Sequence, residues 1–570
     1  MSTEKIIGID FGTNNTTVSC MDENESPVAV KISPQTGYLI PTVLYFKTKD
    51  QYIIGASAAK NGMIHAQACV RNFKSDFDNP KKIYTVRAEN GEEFRMNPLM
   101  AATKFLNKVI FEAQTRIAKQ IPGHQNVHIT KAIITVPAKF SMTAKGVVKR
   151  AVQNIKLQHK LMAEPTAAAL AYLKEHDEML NKTILVYDFG GGTFDLSILT
   201  NRNHICETLY TDGDAHLGGN DITKEIVNDL IDRINDDFTL GMPFNPEDYD
   251  SEECVLPMEN YLKNYERIWE ASENIKFDLS RGITEIIGAI PVTVVKNGEP
   301  FDTTFTYQYT AEEINERIMP EIQKTLELVS QALTWAEENN HKVNHIILAG
   351  GSSQIPLIHE KLEEMIQQQM QKLIELDLQQ RPSAAELKKE YAIVRKPLAE
   401  LEENPEEMAV YRQIQNAREV PSLHADSEIT TLISRGAVWA SLSVTQIAPE
   451  MTLSELGFIS REGSAMRAFQ VVIPSGKKLP CDGWSRPLEI QDMLESWSIS
   501  IYDRDPKRNR RRKLDELTIS NLPDVRNRQA KLYFSVNEED ILDVHVDIEA
   551  EGKIISKDHR VEKESNLLDD

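Results

Sequence analysis

The first apolar run, Ile6-Ile7-Gly8-Ile9, ends at a carboxylate and a tight polar turn, Asp10-Phe11-Gly12-Thr13-Asn14-Asn15. The same pattern returns at Thr183-Ile184-Leu185-Val186-Tyr187, followed by Asp188-Phe189-Gly190-Gly191-Gly192-Thr193-Phe194-Asp195. Each turn leads into a second β-prone run, Thr16-Thr17-Val18 or Leu196-Ser197-Ile198-Leu199, so each motif reads as a β-hairpin. Their wide separation predicts two related halves rather than a short solenoid repeat. A third strand, His345-Ile346-Ile347-Leu348-Ala349, ends in Gly350-Gly351-Ser352-Ser353. Between these anchors the period is helical. Ile222, Ile226, Leu230 and Ile234 mark one helix face, and Thr310-Ala311-Glu312-Glu313 has capping-box spacing. Strands alternating with helices predict an α/β domain.

Beyond about residue 455 the period shortens to two. Trp497, Ile499 and Ile501 alternate with serines; so do Leu532, Phe534 and Val536, and then Leu542, Val544, Val546 and Ile548, with polar residues. These are half-buried strands of antiparallel sheets, and they predict a small all-β domain after the α/β domain.

The 570 residues allow several domains, and 41% hydrophobic with 26% charged residues excludes wholesale disorder. No run reaches the ~18–20 apolar residues of a spanning helix, and the first ten residues lack a basic secretory pattern. Five scattered cysteines without a CxxC pair speak against a disulfide framework or structural zinc, and with the missing signal they predict a cytoplasmic protein. A net charge of −22 argues against nucleic-acid binding. The exception is Lys507-Arg508-Asn509-Arg510-Arg511-Arg512-Lys513, expected at a hairpin tip. It reads as a solvated loop, an acidic-partner surface or a localisation signal.

Glycine turns let several backbone N–H groups converge on phosphate oxygens, because no Cβ blocks the approach. Asp10 and Asp188, at strand ends, can hold the waters of a magnesium ion, which favours carboxylate, water and phosphate. Two such hairpins face to face would clamp the phosphates of one nucleotide.

The segments IGIDFGTNN, IPTVLYF, IITVPAKFS, EPTAAALAY, VYDFGGGTFDLSIL, DAHLGGNDI and ILAGGSSQIP, with the spacing Glu273…Lys276…Ser280, resemble the DnaK-like chaperones of the heat-shock protein 70 family, in the actin and sugar-kinase superfamily. The resemblance runs from Ile6 to about Glu360 and resumes near Ser434. It implies a two-lobed actin-like ATPase domain with duplicated mixed sheets over 1–440, a linker over 441–455, and a small antiparallel β-sandwich that binds peptide over 456–570. It implies ATP/ADP and Mg2+ as ligands, with Gly12, Thr13, Asn14, Gly190, Gly191, Gly192, Thr193, Gly218 and Gly219 around the phosphates. Asp10 and Asp188 would hold the magnesium waters. Glu164, Thr193 and Asp195 would surround the attacking water, with Asp188 beside them, and Lys74 would face the γ-phosphate, with Arg71 as its rival. Glu273, Lys276 and Ser280 share a helix face toward ribose and base, and Gly350, Gly351 and Ser352 form the second adenosine loop. Pro137 matches a nucleotide-state relay, or simply ends a strand.

Where the family carries adenine-flanking arginines, this chain has Phe277 and Gln354, and Thr430 replaces an aspartate. Phenylalanine still stacks on a base but loses the guanidinium charge. The segment from about 361 to 429 is longer than the family's, with a stripe of Leu362, Ile366, Met370, Leu373 and Leu376. Arg381-Pro382 breaks that stripe, and Ser383–Glu386 has capping-box spacing. It predicts a helical insertion that packs on its own domain or docks a partner. The linker offers only Val444 and Ile447 as apolar anchors. In the β domain Phe469 falls near a cleft-lining position, and no helical lid follows the last strand. Expected partners are unfolded or extended polypeptides, a J-domain co-chaperone and a nucleotide-exchange factor. The rival readings are an actin-fold small-molecule kinase and a nucleotide-dependent scaffold.

Overall fold

Both hairpins form where the apolar runs place them, and each nucleates a mixed sheet. Thr3–Phe11 pairs antiparallel with Asn15–Met21 and, on its other side, parallel with Val127–Val136, which pairs parallel with Gln158–Ala163. Thr183–Phe189 repeats this arrangement: antiparallel to Phe194–Arg202 and parallel to His345–Ala349, with Ile205–Asp214 and Ser422–Ala425 beyond them. Every residue of Thr183–Phe189 is buried, as expected of a strand covered on both faces.

The computed structural model describes residues 3–79, 81–121, 127–176, 181–202, 205–240, 256–426, 428–441, 446–447, 452, 454–462, 465–466, 469–490, 496–505, 510–520, 522, 528–537, 542–550 and 553–561. The chain divides into one unit of Met1–Lys139 with Arg150–Gln446, and a second of Phe140–Lys149 with Ile447–Asp570.

In the first unit a helix over Ile429–Trp439 packs between the sheet and a second helix, Glu164–Glu175. Two glycines make this possible. A Cβ on Gly436 would lie 1.8 Å from the carbonyl oxygen of Ala167, and one on Gly8 would lie 2.3 Å from that of Ser434. Helix Gly219–Asp237 buries the predicted face of Ile222, Ile226, Leu230 and Ile234. Helix Ala311–Glu338 starts at the predicted capping box: Glu313 N–H donates to Thr310 Oγ1 at 3.2 Å, and Thr310 N–H donates to Glu313 Oε2 at 2.8 Å.

The segment expected as an insertion differs from its reading in three ways. Helix Pro356–Gln380 runs through residue 361 without a break, and its buried stripe continues from Met370 to Ile374; Leu376 stands 48% exposed. Ala384, not Ser383, precedes the next helix, Ala385–Val394, and no side chain caps it. The chain rejoins the second sheet at Ser422–Ala425, before residue 429. Leu401, Tyr411, Ile414 and Val420 are buried in the same core as that sheet, so the segment packs on its own unit.

The second unit holds two antiparallel sheets. Glu455–Glu462, Ser496–Asp505 and Arg510–Ser520 form one with Gln470–Ile473. Cys481–Trp484 and Leu488–Ile490 join Arg528–Val536, Leu542–Ala550 and Lys553–Arg560 in the other. The alternating residues read from the sequence, among them Ile499, Ile501, Leu532, Phe534, Val544 and Val546, fill one core between them. A further strand, Lys553–Arg560, follows the hairpin expected to be last. Arg510–Lys513 opens a strand, while Lys507–Asn509 and Val444 lie outside the described residues. Among the described residues, no helix is long and apolar enough to cross a membrane.

Candidate functional site

The glycine turns of the two hairpins meet tip to tip. A Cβ on Gly191 would fall 2.7 Å from Asn14 Cγ, and one on Gly192 would fall 2.8 Å from Thr13 Oγ1. Each turn is braced from outside. Thr42 holds the first, donating from Oγ1 to Gly12 O at 2.9 Å and from N–H to Asn14 O at 2.7 Å. The start of helix Gly219–Asp237 holds the second, with Gly219 N–H on Gly190 O at 2.9 Å and Asn220 N–H on Gly191 O at 2.7 Å. Ser352 Oγ adds a bond to Gly190 O at 3.0 Å, and Asn14 Nδ2 donates to Asn220 Oδ1 at 2.6 Å. Gly350 has φ +78, and a Cβ there would press on Asp188 Oδ1 at 2.6 Å, so only glycine suits that position.

Between the turns lies a cavity of about 190 Å³. At its charged end stand Asp10, Gly12, Thr13, Asn14, Lys74, Glu164, Asp188, Gly190, Gly191 and Thr193. At the other end stand Glu273, Lys276, Phe277, Ser280, Gly350, Gly351, Ser352 and Gln354. Four residues expected at the ligand do not line it: Gly192, Gly218, Gly219 and Asp195. Gly218 and Gly219 lie behind the turn they brace, and Gly192 packs against Thr13. Asp195 is buried behind Thr193 and accepts a bond from Lys139 N–H at 3.1 Å. Pro137 follows the strand that ends at Val136.

The charged end holds more acid than base. Lys74 sits in the short turn Phe73–Asp76, pinned because Phe73 and Phe77 pack against Phe11 and Phe105. Its Nζ donates to Glu164 Oε1 at 3.1 Å and to Phe11 O. Arg71, the rival, instead pairs with Glu266 at 2.9 Å and does not line the cavity. Burial, with Glu164 nearby, pushes the carboxyls of Asp10 and Asp195 up to about 7. The same causes push Asp188 well above the usual range, and burial raises Glu164 against the pull of Lys74. One oxygen of Asp188, Oδ2, is buried without a hydrogen-bond partner. Four carboxyls stand around one lysine, and Asp188 and Asp195 each leave one buried oxygen without a partner; among the described residues no three such groups are placed to ligate a metal directly, so the set suits a divalent cation held through water.

This has a sign that can be checked. Between about pH 4 and 7 the folded site holds more protons than the unfolded chain, so stability falls as pH rises through that window. A ligand-free chain should therefore gain less stability between pH 6 and 8 than its other groups confer. Magnesium with nucleotide, which favours the ionised carboxylates, should raise the melting temperature more at pH 8 than at pH 6. Thermal unfolding with and without ligand at both pH values measures this; an equal or reversed ligand effect contradicts it.

At the far end, Lys276 is committed. Its Nζ donates to Glu273 Oε1 at 2.6 Å, Thr223 Oγ1 at 2.7 Å and Gly219 O at 3.0 Å, tying its helix, Met258–Ser280, to helix Gly219–Asp237. Ser280 Oγ donates to Lys276 O at 2.9 Å. Phe277 is 57% exposed, with the Arg281 guanidinium 5.5 Å from its ring centroid. Thr430 lines the cavity, as do Asn15, Thr17, Leu39, Ile429 and Ile433, which sequence reasoning missed. Ile429 and Ile433 sit one turn apart on a buried helix, a signal any core helix gives. Arg281, one turn after Phe277, was the more legible omission.

The model of a family described as Hsp70 protein matches residues 6–379. The chain is 30% identical over 379 residues to a chaperone protein DnaK of Mycoplasma mycoides subsp. mycoides SC, covering 66% of this chain and 58% of that protein. It is 31% identical over 378 residues to a chaperone protein DnaK of Mesomycoplasma hyopneumoniae (strain 7448), covering 66% and 57%. The chain thus spans less than two thirds of these curated relatives.

Proposed function

This chain belongs to the heat-shock protein 70 family, and from that premise we propose that it is an ATP-dependent chaperone that hydrolyses ATP to regulate its hold on unfolded or extended polypeptide. The observation that carries the reading is the pair of touching glycine turns with Lys74 and Glu164 at their base. In this reading the first unit is a two-lobed actin-like domain, and the second is a peptide-binding β-sandwich.

The backbone N–H groups of Gly12–Asn14, Gly191 and Thr193 receive the phosphates, while Gly190 N–H closes its own turn on Thr193 O at 3.0 Å. Asp10 and Asp188 would hold magnesium through water, and the ion would supply charge neutralisation on the phosphates. Glu164 and Thr193 orient a water in line with the γ-phosphate, and Asp195 stands behind them as the proton's destination. Lys74 stabilises charge as it builds on the transferred group. Positioning and electrostatics supply most of the acceleration in such transfers.

The base lies against Phe277, whose ring is backed by Arg281. Phe277→Ala should weaken ATP by roughly 0.5–1.5 kcal/mol beyond lost area. Restoring arginine at 277 and 354 together should tighten it. Nucleotide titration by calorimetry checks both, and unchanged affinity in both variants places the base elsewhere.

Extended peptide would add main-chain hydrogen bonds in the second unit. Phe469 there is half-buried, its ring under the Arg504 guanidinium at 4.9 Å. A J-domain partner and an exchange factor fit the same reading. The rival, phosphoryl transfer to a small-molecule hydroxyl, gains nothing from the second unit. Phosphate release with and without unfolded peptide, beside a panel of sugars, separates the two.

A further inference from the structure

Asp195 depends on a segment from the other sheet. The strand Val127–Val136 continues into Pro137, Ala138 and Lys139, and the Lys139 amide donates to Asp195 Oδ1 at 3.1 Å. Backbone in a loop holds such a bond only if something fixes the loop. Pro137 fixes one dihedral. The stronger tether is the Lys139 side chain, whose Nζ lies 3.3 Å from Asp212 Oδ1.

Asp212 is a firm anchor. It is 2% exposed, and it accepts from Gly213 N–H at 2.9 Å and from Tyr210 Oη at 2.9 Å. Its strand, Ile205–Asp214, pairs with the strand that carries Asp195, and Gly213 lies directly opposite Asp195. Gly213 has φ +149, and a Cβ there would come 2.3 Å from Phe194 O, so the two strands are held at one spacing. The Lys139 side chain therefore fastens its own amide to the strand beside Asp195. An exposed ion pair would be worth little, but this one has a buried carboxylate, which needs its cation.

We propose that Lys139, through its ion pair with Asp212, is a positioning residue that holds Asp195 in place for nucleotide hydrolysis. The proposal rests on the ATPase reading above. Lys139 does not line the cavity and acts through its amide.

The test uses the full chain with magnesium-ATP, comparing wild type with Lys139→Met, Lys139→Arg, Asp212→Asn and the double variant Lys139→Met/Asp212→Asn. Single-turnover phosphate release should fall about tenfold in Lys139→Met, while nucleotide affinity stays within about twofold of wild type. Lys139→Arg should retain most of the rate. The double variant, which removes both charges of the pair, should be no slower than either single variant, the non-additivity of one coupled pair; circular dichroism checks that it is folded. A wild-type rate in both Lys139→Met and the double variant overturns the proposal. Loss of nucleotide affinity in step with rate, without rescue by arginine, also overturns it, since that marks a general structural role. A wild-type chain that binds ATP yet releases no phosphate removes the ATPase reading, and this proposal with it; normal wild-type hydrolysis beside unaffected variants removes this proposal alone.

Discussion

Lys74→Ala should abolish multiple-turnover ATP hydrolysis, lowering the rate by roughly 10²–10³, the usual cost of removing one preorganised charge stabiliser. Nucleotide binding should change by less than about tenfold, or roughly 1.4 kcal/mol. The asymmetry follows from what surrounds the ammonium. Lys74 is 2% exposed and bonds to Glu164 and Phe11 O, so its charge is fixed before the phosphate arrives. Its largest contribution therefore comes when negative charge builds on the transferred group. Arg71→Ala is the matched control, because Arg71 is engaged with Glu266. Measured phosphate release that stays normal in Lys74→Ala and disappears in Arg71→Ala would reverse the assignment.

Gly218→Ala should weaken ATP binding by about a hundredfold, or roughly 2.7 kcal/mol. Gly218 does not line the cavity. Its added Cβ would lie 2.6 Å from the backbone N, Cα and C of Gly192, with no flexible side chain to give way. Overpacking of this kind costs about 1–3 kcal/mol, and here the displaced atoms belong to the second glycine turn, proposed to receive the phosphates. The Gly219 and Asn220 bonds to Gly190 and Gly191 would be lost together. Calorimetric titration gives the affinity, and circular dichroism confirms the fold. Native affinity in a folded Gly218→Ala chain would show that the turn is not set by its packing.

What was legible in the sequence was local chemistry. A carboxylate followed by a glycine turn, flanked by apolar runs, determines its own hairpin. Thr310 and Glu313 cap a helix through atoms three residues apart. The alternation of Leu532, Phe534 and Val536 needs only a sheet with one buried face. Less legible was anything decided by distant partners. Leu373 and Ile374 are adjacent and both apolar; packing on the second-sheet core buries Ile374 fully and Leu373 only in part. Leu39 and Ile433 meet at one cavity from opposite ends of the first unit, and nothing local marks them. The family resemblance implies Gly218 and Gly219 as phosphate contacts, and neither lines the cavity. Gly218 abuts the backbone of Gly192, and Gly219 abuts the Ser352 side chain. The Lys139–Asp212 pair joins a loop of one sheet to a strand of the other, and its charges are unremarkable in a chain so rich in both signs.

The central claim is that the cavity between the two glycine turns hydrolyses ATP under the control of polypeptide. The most direct measurement is inorganic phosphate released by the purified chain from magnesium-ATP, with and without an unfolded peptide, in parallel with a panel of sugars. The account predicts slow, magnesium-dependent release that rises with peptide and is lost in Lys74→Ala, with no phosphorylated sugar. Phosphate transferred to a sugar, or release indifferent to both peptide and Lys74, would contradict it.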